Sequence, residues 1–256
     1  MPRPFMLVFA ARSGSTAIYG DLKTHPNILM RAEVFGNDRL PGDVEQTDDN
    51  RIAFLRKYWR PYLSSADTAD VLSAAHGFKF QVDSKNGQFS QPMRLVKVAK
   101  EYSPAIIVLK RENRLKQVVS ALNAQRVLRE TARFGQQPTA HILPNNVSVI
   151  DKLRQKKMRI DLQELSNRLR GLEQTYRKLD QVANAFHDPL HITYEQFVND
   201  RNSVIEEIMR FIDVDPAMWA RDDVYQKITP NNLSEVVANY GALEEFCDRR
   251  NLTHML

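Results

Sequence analysis

The chain has 256 residues, 43% hydrophobic and 26% charged, with a formal net charge of +5 and a sequence pI near 9.3. That length buries a sizeable core as one α/β domain, and the mild basic excess suits anionic partners without choosing among nucleotides, phosphorylated cofactors, nucleic acid and acidic lipid. A single cysteine excludes an intrachain disulfide and makes a reducing, cytoplasmic compartment the default, while no run approaches the roughly 20 apolar residues of a membrane span.

In chain order, Phe5–Ala10 is a short apolar run that predicts a buried strand rather than an export signal. It stops at Arg12-Ser13-Gly14-Ser15-Thr16, and Thr16–Lys23 then predicts a helix with Ala17, Ile18 and Leu22 on one inward face. Pro26 ends that helix before a second strand over Ile28–Ala32. Leu40–Asn50 is polar and turn-rich, a loop leading into a helix from about Arg51. Further strands are predicted over Gly77–Gln81, Ala105–Lys110 and His191–Tyr194, with helix-like segments between them. That alternation predicts an α/β fold, a central parallel sheet flanked by helices. Thr131–Val149 carries Gly135, Pro138 and Pro144-Asn145-Asn146 without periodicity, a long excursion of the kind that is disordered or functional. Leu162, Leu165, Leu169, Leu172, Tyr176, Leu179 and Phe186 then recur at threes and fours, the signature of a long amphipathic helix. Lys156, Lys157 and Arg159 form its solvated leading edge. They lack interleaved aromatics, so nucleic acid is not expected. Cys247 lies in a C-terminal helix and reads as a buried structural thiol.

The chemistry sits after the first strand. A helix N-terminus presents unpaired N–H groups and the positive end of a dipole; Gly14 permits close backbone approach, Ser13, Ser15 and Thr16 offer hydroxyls, and Arg12 offers a planar cationic fork. The pentapeptide alone fits an anion cradle and an ordinary capped helix start equally. It is not a nucleotide-hydrolysing GxxxxGK[ST] loop: the first glycine and the lysine are missing. The run AIIVLKREN also ends in Lys110-Arg111 where such enzymes hold magnesium with an aspartate.

With IIVLKRENRLKQVVSALNAQR following, the sequence resembles the sulfotransferases that use 3′-phosphoadenosine 5′-phosphosulfate, most of all the bacterial carbohydrate and nodulation-type branch. The resemblance implies a single sulfotransferase-like α/β domain over residues 1–256, with a P-loop-like phosphosulfate-binding loop after strand one; the long loop 131–150, among the parts least like anything familiar, is read as a lid over the acceptor site. It implies that Arg12, Ser13, Gly14, Ser15 and Thr16 hold the 5′-phosphosulfate, that Arg111 and Ser120 hold the 3′-phosphate, and that Lys227 in KITPNNLSEVV closes over the nucleotide. HITYEQFVND resembles the family's late strand and helix, whereas Ala11 stands where the branch usually has proline. The implied reaction is sulfuryl transfer to a hydroxyl of a carbohydrate, glycolipid or small metabolite, with no metal: the six histidines make no ligand-spaced cluster. Arg12 would neutralise the bridging oxygen.

Glu33, at the end of strand two and beside strand one if the sheet winds in order, is expected to point over the loop. In the resembling branch a glutamate here is the general base. Facing Arg12 would lower its pKa, so burial is needed to keep it basic. Lys79 near the end of strand three is a weaker candidate for the cleft. Glu195 is expected to cap the helix after it, and Tyr58 and Trp59 in FLRKYWRPYL fit core packing better than sugar stacking, as does Tyr62. The competing classes are a magnesium-dependent phosphotransferase and a non-catalytic anion-binding module.

Overall fold

The computed structural model describes residues 3–35, 40, 44–45, 47–59, 74–82, 91–133, 156–221 and 229–256. They form two compact units, one from residues 1–112 and 175–222, the other from 113–174 and 223–256.

The first unit holds five parallel strands: β1 (Arg3–Phe9), β2 (Ile28–Arg31), β3 (Ala75–Gln81), β4 (Ala105–Lys110) and β5 (Leu190–Thr193), in the order β2-β3-β1-β4-β5. The α/β class with a central parallel sheet is as the sequence predicts. Every residue of β3, and all but the ends of β1 and β4, are buried, as expected of strands covered on both faces. Alternation sorts the two faces. Phe5, Leu7 and Phe9 pack with Ile107 and Leu109 against α1 (Ser15–Lys23) and the later helix Arg201–Phe211 through Ile18, Leu22, Ile205 and Ile208. On the other face, α2 (Asp48–Trp59) sets Trp59 5.2 Å from the Phe78 ring, and Phe35 meets Phe78 edge-on at 5.0 Å. Trp59 is therefore a core residue, and Tyr58, half-buried, packs beside it against His76 and Phe78; Tyr62 lies outside the described residues. A third helix, α3 (Pro92–Ala99), buries Leu95, Val96, Val98 and Ala99.

The strand order corrects the expectation that β2 lies beside β1. Strand β3 is inserted between them, pairing Leu7 with Lys79 and Arg31 with Phe78. From β1 the chain skips one position to the edge strand β2, returns to β3 beside β1, and then crosses to the other side for β4 and β5. The loop after β1 thus leaves the carboxyl edge where the winding direction reverses, the usual ligand position in open α/β sheets.

Several boundaries also differ from the sequence reading. Helix α2 begins at Asp48 rather than near Arg51, because Thr47 accepts the Asn50 N–H through its hydroxyl at 3.2 Å and Asp48 and Asp49 face the positive end of the helix dipole. Helix α4 (Arg114–Arg133) continues through Thr131, where the excursion was expected to start; residues 134–155 lie outside the described residues. The long helix α5 (Leu162–Ala183) stops before Phe186, as tight three-residue turn bonds from Ala185 to Val182 and from Phe186 to Ala183 close it. Tyr194 is not strand but the first residue of α6 (Tyr194–Asn199), capped by reciprocal bonds between Thr193 and Gln196. The cap is thus Thr193, not Glu195. Helix α7 (Arg201–Phe211) is joined to α1 by a two-pronged pair in which Arg201 donates to both oxygens of fully buried Asp21 at 2.7 Å.

The second unit has its own core of Leu115, Val118, Val119, Leu165, Leu233 and residues of α8 (Tyr240–Asp248), among them buried Cys247. Burial, with Glu244 nearby, pushes the Cys247 thiol up, in keeping with a structural role. A parallel bridge joins Met158 to Val237, and the Asn239 amide bonds both backbone groups of Ile160 at 2.9 Å. Among the described residues no helix is long and apolar enough to cross a membrane.

His76 on β3 is buried, stacked flat on Tyr58 at 5.5 Å, and its pKa is lowered to about 4 by burial and by the charge of Arg31. Between its ordinary 6.5 and 4 the unfolded chain binds a proton that the native chain refuses. Native stability is therefore full above about pH 6.5 and falls as the pH drops towards 4. Urea unfolding at pH 7, 6 and 5 will show this slope, and His76→Phe, which keeps a ring on Tyr58, will flatten it; an unchanged slope rules out a neutral buried His76.

Candidate functional site

The loop between β1 and α1 has a strained and specific backbone. Arg12 adopts φ 64° and Gly14 φ 91°, so two left-handed residues flank Ser13. Non-glycine residues avoid that region at a cost of about 1–2 kcal/mol, and alternation of this kind turns successive N–H groups towards a common concavity. Gly14 caps α1 without any side-chain bond, its carbonyl accepting from Ala17 at 3.0 Å, and leaves the first N–H groups of the helix pointing out of the sheet edge. Ser13 is fully buried, and its hydroxyl has no hydrogen-bond partner among the described residues. An unsatisfied buried hydroxyl costs about 1–3 kcal/mol.

Arg111, the residue after β4, approaches the loop from the neighbouring strand. It is buried, its Nη1 donates to the Arg12 carbonyl at 3.4 Å, and its guanidinium lies 4.4 Å from the centroid of the Tyr194 ring. The same ring backs Gly14. A β-carbon there would stand 2.6 Å from Tyr194 Cδ2. Tyr194 thus touches both the loop, at Gly14, and Arg111. Glu195 accepts the Glu112 N–H at 2.9 Å and stands 3.9 Å from Arg111 Nε, tying down the loop after β4. Both arginines have lowered pKa values. For Arg12 the cause is burial and then the charge of Arg111; for Arg111 it is burial, opposed by Tyr194, Glu195 and Tyr176. Two cations therefore stand close enough to disfavour one another.

A second, balanced charge pair adjoins the helix start. Lys79 Nζ lies 2.9 Å from Glu33 Oε1 and donates to Thr16 Oγ1 at 3.2 Å, above the rings of Phe9 and Tyr19 at 5.1 and 5.7 Å. Lys79 is 3% exposed, whereas the Glu33 side chain keeps 33% of its surface. Glu33 therefore reaches the loop across β3, and its cation is Lys79 rather than the expected Arg12. The loop that carries it is held by Arg51, whose Nε donates to the Phe35 carbonyl at 3.1 Å and whose Nη1 lies 3.4 Å from buried Asp48.

Arg12, Ser13, Gly14, Ser15, Thr16, Glu33 and Arg111 thus gather at one edge of the first unit. Ser120 is buried on α4 in the second unit, whose polar face also carries Gln117 and Asn123, the latter donating to Thr229 Oγ1 at 3.2 Å. Lys227 lies outside the described residues. Sequence reasoning underweighted Lys79 and missed Tyr194 and Tyr176. The signal for Lys79 was present: a lysine flanked by Phe78 and Phe80 in a central strand is buried and needs a partner.

No family model matches the chain, nor does any curated protein. Among solved structures it is similar to a sulfotransferase from Alicyclobacillus acidocaldarius, at 15% identity and a TM-score of 0.46 over 99% of this chain and 96% of that one. It is also similar to the sulfotransferase domain of the Synechococcus PCC 7002 olefin synthase, at 15% identity and a TM-score of 0.41 over 96% and 87%.

The double demand on Gly14, left-handed backbone and contact with Tyr194, makes Gly14→Ala destabilising by about 2 kcal/mol or more. In a Tyr194→Ala background only the backbone part remains. Denaturant unfolding of the four proteins in that cycle will give a smaller loss in the second background; equal losses would remove the steric contact from the account.

Proposed function

We propose that this protein is a sulfotransferase that moves the sulfuryl group of 3′-phosphoadenosine 5′-phosphosulfate to a hydroxyl of a carbohydrate, glycolipid or small metabolite. The observation that carries this reading is the pair of guanidinium groups, buried Arg111 and half-buried Arg12, that meet beside the start of α1, each held below its ordinary pKa. A polyanion between them would turn mutual repulsion into attraction, and the stranded Ser13 hydroxyl would gain its missing partner.

The residues fit the donor. Arg12, Ser13 and the N–H groups of Gly14, Ser15 and Thr16 would hold the 5′-phosphosulfate, while Arg111 would hold the 3′-phosphate that distinguishes this nucleotide from ATP. When bound, the nucleotide supplies the sulfuryl group and a stable phosphate leaving group. Glu33 takes the proton of the acceptor hydroxyl. Lys79 orients that carboxylate through its ion pair and anchors it to Thr16, so base and cradle share one rigid connection. Arg12 holds positive charge where negative charge develops on the departing oxygen. The acceptor would be a small molecule, carbohydrate or glycolipid, and the chemistry asks for no metal.

A ligand-induced melting shift tests the donor. Adenosine 3′,5′-bisphosphate should raise the transition clearly, by roughly 2.7 kcal/mol of stabilisation at a hundredfold excess over its dissociation constant, while ATP with magnesium should do little. A shift with ATP and magnesium alone would make the protein a phosphotransferase, and silence from both would make the loop an ordinary helix start. Arg12→Gly separates charge from fold: it relieves the left-handed strain, so the melting point holds or rises while the bisphosphate shift disappears.

Glu33→Gln separates base from binding. Sulfuryl transfer from the phosphosulfate to an acceptor found by screening carbohydrates, glycolipids and small alcohols should fall about 10²–10⁴-fold in kcat, with the bisphosphate shift retained. Wild-type turnover in that variant would remove Glu33 from the mechanism.

A further inference from the structure

Arg111 owes its direction to a residue remote in sequence. It is the first residue beyond β4, where the last ladder pairing is Lys110 with Thr193, so its own peptide groups are buried just where the sheet stops supplying partners. Both are met by one hydroxyl. The Arg111 N–H donates to Tyr176 Oη at 2.8 Å, and Tyr176 Oη donates to the Arg111 carbonyl at 2.9 Å. Tyr176 is buried on the part of α5 that belongs to the first unit. One turn further along, Asp180 forms an ion pair with Lys110. A single helix face thereby grips two successive residues at the carboxyl end of β4.

Fixing both peptide groups of one residue fixes its Cα–Cβ direction. From that direction the Arg111 side chain reaches the Tyr194 ring and the Arg12 carbonyl. We infer that Tyr176 is a positioning residue for Arg111: its hydroxyl aims the guanidinium at the 3′-phosphate, and Asp180 braces the same strand end. This rests on the sulfotransferase reading and adds that donor selectivity is set partly from α5, by a residue that touches no nucleotide. A phenylalanine at 176 would keep the packing and lose the aim.

The test is the ratio of affinities for adenosine 3′,5′-bisphosphate and adenosine 5′-monophosphate, measured by titration calorimetry on the full chain. Wild type should prefer the bisphosphate. In Tyr176→Phe that preference should shrink about tenfold, with monophosphate affinity unchanged, because two bonds to the backbone of the 3′-phosphate residue are lost. A merely structural tyrosine would weaken both nucleotides alike or lower the melting point only, so an unchanged ratio in folded Tyr176→Phe overturns the inference. Should that variant not fold, Asp180→Asn carries the test: a ratio reduced about threefold supports the inference and an unchanged one overturns it. A wild-type protein without preference for the bisphosphate overturns the sulfotransferase reading itself, and this inference with it.

Discussion

The architecture turns on the closeness of two arginines, Arg111 buried and Arg12 half-buried. Arg12 sits in a left-handed conformation on the loop from β1, and Arg111 arrives from β4 with Tyr194 stacked beneath its guanidinium. Strand pairing makes the meeting unavoidable. Because β1 and β4 are parallel neighbours in register from Phe5 with Ala105 to Phe9 with Leu109, the residues that follow each strand emerge side by side at the same edge. Gly14 lets the loop close on the Tyr194 ring, and the ring in turn keeps Arg111 at a fixed distance. The unfavourable terms are the left-handed Arg12 and the depressed cations, and the extensive apolar burial of the sheet beneath them supplies the stability that tolerates both.

The strand order gives the site a second connection. With β3 interposed, a side chain at the end of β2 reaches the helix start only through something on β3, and Lys79 is that group. It is opposite Leu7 in the register and on the α1 face, so its ammonium runs up between Phe9 and Tyr19 to the rim. A buried ammonium needs a counter-charge, and Glu33 provides one while its carboxylate retains a solvent-accessible side. The pairing thus serves the fold and leaves the carboxylate able to meet a substrate.

The sheet was legible in the sequence because each strand is an apolar run closed by polar or breaker residues, and β4 matched residue for residue over Ala105–Lys110. Strand order was not legible. Apolar runs report burial, not neighbours, and placing Glu33 beside β1 assumed consecutive winding. The loop Arg12–Thr16 was visible as a pattern, but two of its determinants are tertiary: the left-handed turn at Arg12 carries no compositional mark, and the ring behind Gly14 comes from residue 194. Tyr176 shows the same limit from another side. Its place in a period of threes and fours predicts a packing residue, which it is, and the period is silent about where a hydroxyl at the end of the ring will land. Helix starts shifted for local reasons, as at Thr47, whose hydroxyl outcompetes the polar tract that seemed to delay the helix to Arg51.

Charge bookkeeping separates the two halves of the edge. Lys79 and Glu33 cancel, so that half can be stable with nothing added. Arg12 and Arg111 reinforce each other, and burial magnifies the effect because a low-dielectric surrounding screens like charges poorly. An anion is therefore favoured at the arginine half, whereas the neutral pair beside it leaves room for an uncharged hydroxyl. The transfer proposed for this site, between an anionic donor and a neutral acceptor, asks for that polarity: one side that binds charge strongly, and one that handles a proton without attracting a second polyanion. Thr16 joins the two, its hydroxyl held by Lys79 while its backbone opens α1, so a displacement of the loop is felt at Glu33.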